Sequence, residues 1–497
     1  MLKKNILANY ISQIYIAVIG IILLPLYIKY MGSEAYGLIG FFSILQAWFN
    51  VLDLGLTPTI SRETARYRSG VISTSDFQQL LKILTIVFVI IAGLGGISLF
   101  LLSEKIAINW LKAVNIPINE VIFSVQVMSV SVALRWMGGL YRGIISGSEK
   151  LVILSGLNSL IATLRFVAVF IVMWKFGFTP YVFFMYQFIV AIIEVLLLFY
   201  FSYKLTPTLR IRGKLTLKPI KPLLAFSLTI AFTSSIWILI TQTDKFILSG
   251  ILSLENYGYF SLAVLVANGI IIISGPVSTA IMPRLASLYA ENKLNEAVTV
   301  YCNATQIISI IVGSAAISIA FFPELVLYAW SGDKILTQHT APILQLYVIG
   351  NMMLVISAFP YYLQYAQGNL RYHLIGNIVM AVLLIPTVIA IAIKYGSLGA
   401  GYTWLIVNIL FLFIWVGYVH NKISPGLHYH WLINNVIKIT ILPFIFSTIT
   451  YLILSGITES RINAIVTCVF ICCINFILSI LSSGKARDLI KNTLSAN

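Results

Sequence analysis

Three ionisable residues stand inside long apolar runs of this chain: Arg135, Arg165 and Glu194. Placing such a group at bilayer depth costs at least ~2.5 kcal/mol on insertion scales, so each is expected to face protein or water rather than lipid. A guanidinium presents a fork of N–H donors that matches the oxygens of phosphate or carboxylate. The chemistry open to such groups is non-covalent capture of an anion in a water-filled cavity. Glu194 then either balances Arg135 or exchanges a proton. Alternatively, the three charges form a buried cluster that only fixes helix packing. Arg142, seven residues beyond Arg135, joins the candidate cavity cations.

Other charged residues sit nearer the ends of apolar runs. Asp53, in Asp53-Leu54-Gly55, is a coupling candidate, or else an interface carboxylate that solvates itself or pairs with a basic residue such as Arg142. Asp244-Lys245 is a coupling or gating candidate, or else a local ion pair. Arg62-Glu63-Thr64-Ala65-Arg66 reads as a short interfacial helix, a solvated gate element, and Arg284 is its counterpart further along the chain. His339, His373, His420, His428 and His430 fall at expected loops or helix ends, and His428-x-His430 reads as a hydrated interface pair rather than a metal chelate. Cys302, Cys468, Cys472 and Cys473 show no metal-type spacing. No metal or cofactor is expected. There is no G-x-x-x-x-G-K-[ST] motif, so ATP hydrolysis is excluded. The outside loops, the longest at about 103–120 and 323–340, are too short for a polymerase or glycosyl transferase. A transporter, not an enzyme, is the expectation.

The elements that must hold these residues follow from composition. Of the 497 residues, 59% are hydrophobic and only 10% charged, against about 25% charged in soluble domains. Mean hydropathy is +0.96. The chain is therefore an all-α polytopic membrane protein, because lipid leaves a strand edge unsatisfied. At ~20 residues per crossing, fourteen spans are expected, at 9–29, 36–58, 83–102, 121–144, 152–174, 180–203, 222–249, 257–281, 305–322, 341–365, 373–393, 399–419, 433–455 and 463–481. Pro25, Pro276, Pro360 and Pro386 should bend their helices. With the N-terminus in the cytoplasm, 22 Lys and Arg residues fall inside and 8 outside. This asymmetry places both termini in the cytoplasm and absorbs most of the net charge of +16, so no nucleic-acid partner is needed. Segment 204–221 carries six basic and no acidic residues, as expected of a cytoplasmic linker held against anionic membrane lipid.

The chain also repeats. Glu34-Ala35-Tyr36-Gly37 matches Glu255-Asn256-Tyr257-Gly258 at an offset of 221, and Lys175-Phe176-Gly177 matches Lys394-Tyr395-Gly396 at 219. Gly147 and Lys150 match Gly368 and Arg371, and Arg62 matches Arg284. Six spans separate the copies, so the repeats are parallel. The expected organisation is a six-helix lobe at 1–203, the linker at 204–221, a second six-helix lobe at 222–419, and two added helices with a cytoplasmic tail at 420–497. Two such lobes around a central cavity are the architecture of alternating access.

The run from Pro25 through Tyr30-Met31-Gly32-Ser33-Glu34-Ala35-Tyr36-Gly37-Leu38 resembles the start of bacterial O-antigen and polysaccharide repeat-unit flippases. The resemblance continues through Leu45-Gln46-Ala47-Trp48-Phe49, Leu52-Asp53-Leu54-Gly55-Leu56 and Ser61-Arg62-Glu63. It takes in Asp244-Lys245-Phe246-Ile247-Leu248 and Met282-Pro283-Arg284-Leu285. These flippases form the polysaccharide transporter branch of the multidrug/oligosaccharidyl-lipid/polysaccharide exporter superfamily. The resemblance implies a MATE-like pair of six-helix bundles in the bacterial inner membrane. It implies movement of undecaprenyl-pyrophosphate-linked oligosaccharide from the cytoplasmic to the outer leaflet. A proton or sodium coupling ion and association with polysaccharide polymerase and chain-length machinery go with it. A cationic lumen, also implied, agrees with Arg135 and Arg165. The alternative is a drug-cation antiporter of the same fold, which favours an acidic cavity.

Overall fold

A chain this apolar has one way to satisfy its backbone in lipid, which is to hydrogen-bond within helices. The computed structural model describes residues 2–207, 221–453 and 460–484, and these hold no strand. The helices run in chain order as α1 (Leu2–Met31), α2 (Ser33–Phe49), α3 (Leu56–Arg68), α4 (Thr74–Lys105), α5 (Ile118–Gly147), α6 (Leu151–Ala162), α7 (Val169–Phe176), α8 (Pro180–Tyr203), α9 (Lys221–Ile251) and α10 (Leu254–Ala290). They continue as α11 (Leu294–Ile308), α12 (Ser314–Phe321), α13 (Pro323–Ser331), α14 (Lys334–Ser357), α15 (Phe359–Gln367), α16 (Arg371–Leu410), α17 (Val416–Ile423), α18 (Leu427–Leu432), α19 (Lys438–Ile453) and α20 (Arg461–Ser482).

Among the described residues, twelve helical stretches are long and apolar enough to cross a membrane, against the fourteen spans expected from sequence. The stretch Arg371–Ile423, at 53 residues, covers two of them, and Gly396 breaks it with φ 59° and ψ −141°. The seventh expected span, 222–249, falls on α9. Pro25 and Pro386 lie inside helices, whereas Pro360 opens α15 just after α14 ends. Residues 208–220 of the basic linker lie outside the described residues.

The chain divides into two compact units, Met1–Gly258 and Tyr259–Asn497. In the first unit α5 is central, packing on α8, α4 and α3. Its Ser124, Ser129 and Ser131 hydroxyls donate to carbonyls one turn back at 2.7 Å, so no hydroxyl there needs water. Glycine brings α3 close to α5. A Cβ at Gly147 would stand 2.1 Å from the Ser61 carbonyl oxygen, and one at Gly143 would stand 2.5 Å from Ile60 Cγ2. This is the small-residue approach that lets membrane helices touch backbone to backbone.

The sequence repeat has a local structural counterpart. A Cβ at Gly37 would meet the Leu254 carbonyl at 2.1 Å, and one at Gly258 would meet the Ser33 carbonyl at 2.3 Å. The approach is reciprocal, because Ser33 and Leu254 are themselves 221 residues apart. Lys175 lies 5.6 Å from the Phe176 ring centroid and Lys394 lies 5.2 Å from that of Tyr395. The glycine that follows each pair has positive φ. Nearby, buried Glu34 accepts the backbone N–H groups of Val114 and Asn115.

In the second unit α14 packs on α16, α13 and α12, and α19 with α20 packs on α12. Asn475 of α20 donates to Ser318 (2.8 Å) and Ser447 (2.9 Å), tying three helices together in the dry interior. An apolar cavity of about 350 Å³ lies among Ala316, Ile317, Met352, Met353, Thr440 and Phe444.

Candidate functional site

The first unit holds a cavity of about 530 Å³, lined from α2, α3, α5, α8, α9 and the α6–α7 span. Arg135, Arg142, Arg165 and Glu194 all line it, as do Asp53, Gln46, Trp136 and Ser234. Three guanidinium groups face two carboxylates there, leaving one net positive charge.

Glu194 on α8 is the buried centre, with its side chain 2% exposed. Arg142 donates to its Oε1 and Arg165 to its Oε2. Arg135 Nε stands 3.9 Å from Oε2. Glu194 thus balances Arg135 as expected, while its hydrogen-bonded partners are Arg142 and Arg165. The arginines reach the wet side of the cluster unequally: Arg142 is 35% exposed, Arg165 23% and Arg135 8%. Arg142, a candidate cavity cation, does line the cavity. It lies within α5, where its Nη1 additionally donates to Asn158 at 2.7 Å.

Arg135 is held by neutral groups. Nη1 donates to Gln46 Oε1 at 3.1 Å and Nη2 to Gln187 Oε1 at 2.8 Å. Its guanidinium carbon lies 4.9 Å from the Phe42 ring centroid, within cation–π range. Gln187 is a bridge, because its amide nitrogen also donates to the Arg165 carbonyl at 3.0 Å. That carbonyl is free to accept because Thr163–Ala168 forms a π-turn between α6 and α7. Such a turn shifts the hydrogen-bond register. Tyr27 Oη takes the next carbonyl, that of Phe166, at 3.0 Å. The π-turn, Gln46, Gln187 and Asn158 were not singled out from sequence. The available signal was the uncharged amides inside apolar runs.

Among the residues lining the cavity, the buried polar side-chain atoms left without a hydrogen-bond partner are Arg135 Nε, Arg165 Nε and the Trp136 indole nitrogen. All three are donors. What would complete this site is an acceptor.

Of the remaining candidates, Asp53 alone lines this cavity. Asp53 does not pair with Arg142. Its carboxylate accepts from Thr57 Oγ1 at 2.6 Å and Thr57 N at 3.2 Å, capping the start of α3. That cap follows from Leu54 and Gly55 both adopting left-handed backbone, which turns the chain from α2 into α3. Arg62 and Arg66 are not wholly solvated, because both lean on buried Glu63, at 4.0 Å and 3.0 Å. Lys245 lies 3.3 Å from buried Asp244 and donates to the Thr241 carbonyl. Arg284 is exposed on α10.

His428 is corrected from hydrated to buried. Its Nδ1 meets His420 Nδ1 at 3.1 Å, and His420 Nε2 meets Tyr301 Oη at 2.7 Å. His430 instead meets Asn434. Among the described residues no three potential ligands converge on a metal site.

The fold is that of known transporters. The chain superposes on the lipid II flippase MurJ in its inward closed conformation with a TM-score of 0.70, at 15% identity, covering 98% of this chain and 99% of that one. An inward-facing multidrug resistance MATE family transporter of the MOP superfamily gives a TM-score of 0.66, at 14% identity, with 83% and 98% covered. A Shigella flexneri protein carrying the provisional name O-antigen transporter is 23% identical over 394 residues, which are 76% of this chain and 88% of that one. Residues 2–289 match the family described as polysaccharide biosynthesis protein. The chain, a multi-pass membrane protein, belongs to the polysaccharide biosynthesis protein family.

Proposed function

We propose that this protein is a flippase for lipid-linked oligosaccharide. It takes a polyprenyl-pyrophosphate-linked repeat unit, undecaprenyl in the bacterial case, from the cytoplasmic to the outer leaflet of the inner membrane. A pyrophosphate is too polar to cross ~30 Å of hydrocarbon unaided. The observation that carries the reading is the cavity of the first unit, with three arginines around Glu194 and unpartnered N–H donors. Phosphate oxygens accept hydrogen bonds and bring the negative charge that this cavity lacks. Membership of a polysaccharide biosynthesis family and similarity to a protein named as an O-antigen transporter support an oligosaccharide cargo. The apolar cavity of the second unit has no charged lining group and offers an anion nothing.

A drug-cation antiporter on the same fold is the second reading. The positive excess around Glu194 opposes it, since a cation would meet three arginines there.

The test is complementation of a deletion strain. Arg135→Ala and Arg165→Ala should abolish surface polysaccharide at normal membrane abundance, while single lipid-linked repeat units accumulate in the inner leaflet. Full export by both variants overturns the anion-capture reading. Dye or drug resistance conferred by the wild type, without any change in surface polysaccharide, supports the antiporter.

A further inference from the structure

Glu194 is placed where an arriving anion would want to be. It occupies one Nη2 atom on each of Arg142 and Arg165, with almost no exposure of its own. The unpartnered donors of the same cavity belong to Arg135, Arg165 and Trp136. Those atoms are buried, so an incoming phosphate meets the more exposed guanidinium groups of Arg142 and Arg165 first. It must then compete with Glu194 for them.

The three arginines are not equally free to respond. Arg135 is fixed by Gln46, Gln187 and the Phe42 ring. The main chain at Arg165 is pinned by Gln187 through the π-turn. Arg142 is the most exposed of the three, and apart from Glu194 its hydrogen-bond partner is the neutral Asn158. It can turn from Glu194 toward the cavity at the smallest cost.

We infer that Glu194 is the resident counter-anion of this cavity and that Arg142 is the arm that trades it for substrate phosphate. This rests on the flippase reading and adds a role to it. Transport needs binding strong enough to load and weak enough to unload. Three buried arginines without a competing carboxylate would hold a pyrophosphate too tightly to release it. Glu194 returns to Arg142 as the phosphate departs, so the site resets without any outside ion entering the cluster. The residue is thus a determinant of affinity and release, distinct from the groups that grip the cargo.

The experiment uses the full chain in nanodiscs of neutral phospholipid, with inorganic pyrophosphate as the probe and calorimetry as the readout. Glu194→Gln should lower the pyrophosphate Kd tenfold or more, while surface polysaccharide export falls at unchanged membrane abundance. A looser or unchanged Kd in folded Glu194→Gln protein overturns the exchange and leaves Glu194 as a structural clamp. If Glu194→Gln does not yield folded protein, Glu194→Asp decides, because it keeps the charge but retracts it by one methylene. A Kd below wild type supports the exchange, and a Kd at or above wild type overturns it. Failure of the wild type to bind pyrophosphate at all overturns the anion-capture reading itself.

Discussion

Arg165 and Glu194 are in direct contact in the buried cluster, and a double-mutant cycle on them tests whether the cluster is one energetic unit. Arg165→Met removes one of the two direct partners of a carboxylate that is only 2% exposed. Deleting one partner of a buried pair costs about 3–5 kcal/mol, because the other charge is left uncompensated. Arg142 still donates directly to Glu194, and Arg135 stands 3.9 Å away, so the low end, about 3 kcal/mol, is expected. Glu194→Gln strands three guanidinium groups, of which Arg142 and Arg165 are partly wetted at 35% and 23% exposure. Its cost should be smaller, about 2 kcal/mol. Independent sites would sum to about 5 kcal/mol. The double variant leaves no stranded carboxylate and strands only Arg135 and Arg142, so about 3 kcal/mol is expected, a coupling of about 2 kcal/mol. Reversible unfolding in detergent, followed by helical circular dichroism, gives the four stabilities. Additivity within about 0.5 kcal/mol would refute the reasoning, since touching charges in one network must couple.

Three further outcomes follow from other parts of the structure. Gly147→Leu places a side chain where a Cβ already stands 2.1 Å from the Ser61 carbonyl. Overpacking of this kind costs about 1–3 kcal/mol or more, so membrane abundance should fall severalfold on quantitative blotting, whereas Gly20→Leu, with nothing nearby, should leave it unchanged. Asp53→Ala should lose a helix cap worth about 1 kcal/mol, while Asp53→Asn, which still accepts from Thr57, should keep most stability and export. Loss of export by well-folded Asp53→Asn would show that the charge, rather than the cap, is needed. Between the spans, Lys293 and then Ser287 hold the exposed Glu291 carboxyl below its usual range. The contribution of this pair is present at neutral pH and lost as pH falls through the folded-state value of Glu291. Lys293→Ala should move the Glu291 titration upward in carboxyl-labelled NMR spectra.

The helical scaffold was legible because lipid enforces a single local rule. Runs of about 20 apolar residues must be helices, and most helix ends fall within a few residues of the expected positions. Arg135, Arg165 and Glu194 were legible for the same reason, because a charge inside such a run has to meet protein or water. Which charge meets which was not. Arg142 and Glu194 are 52 residues apart in sequence, and their meeting depends on how α5 lies against α8. Three uncharged amides escaped notice because Asn and Gln inside an apolar run carry no obligatory partner that a pattern can name. The pairing of Asp53 with Arg142 did not form because its carboxylate is consumed locally. The left-handed turn at Leu54–Gly55 brings Thr57 back onto it before Arg142 can compete. His428 was misjudged because a short polar-looking stretch, Leu427–Leu432, folds back and buries His428 and Trp431 beside His420 and Tyr301.

The way each arginine is held bears directly on what the cavity can bind. An arginine paired with a carboxylate contributes little net field beyond a few ångströms, because the two charges cancel. An arginine held by amide oxygens and an aromatic face is positioned just as firmly, yet keeps its charge. Arg135 is closer to the second kind, since its hydrogen bonds go to the uncharged Gln46 and Gln187 and Glu194 stands 3.9 Å from its Nε. Had either glutamine been a glutamate, the cavity would hold three carboxylates against three guanidinium groups and would attract no anion. Gln187 does more than hold Arg135, since its other end grips the π-turn that presents Arg165. One neutral side chain thereby sets the spacing between two cations without adding a carboxylate to the cavity.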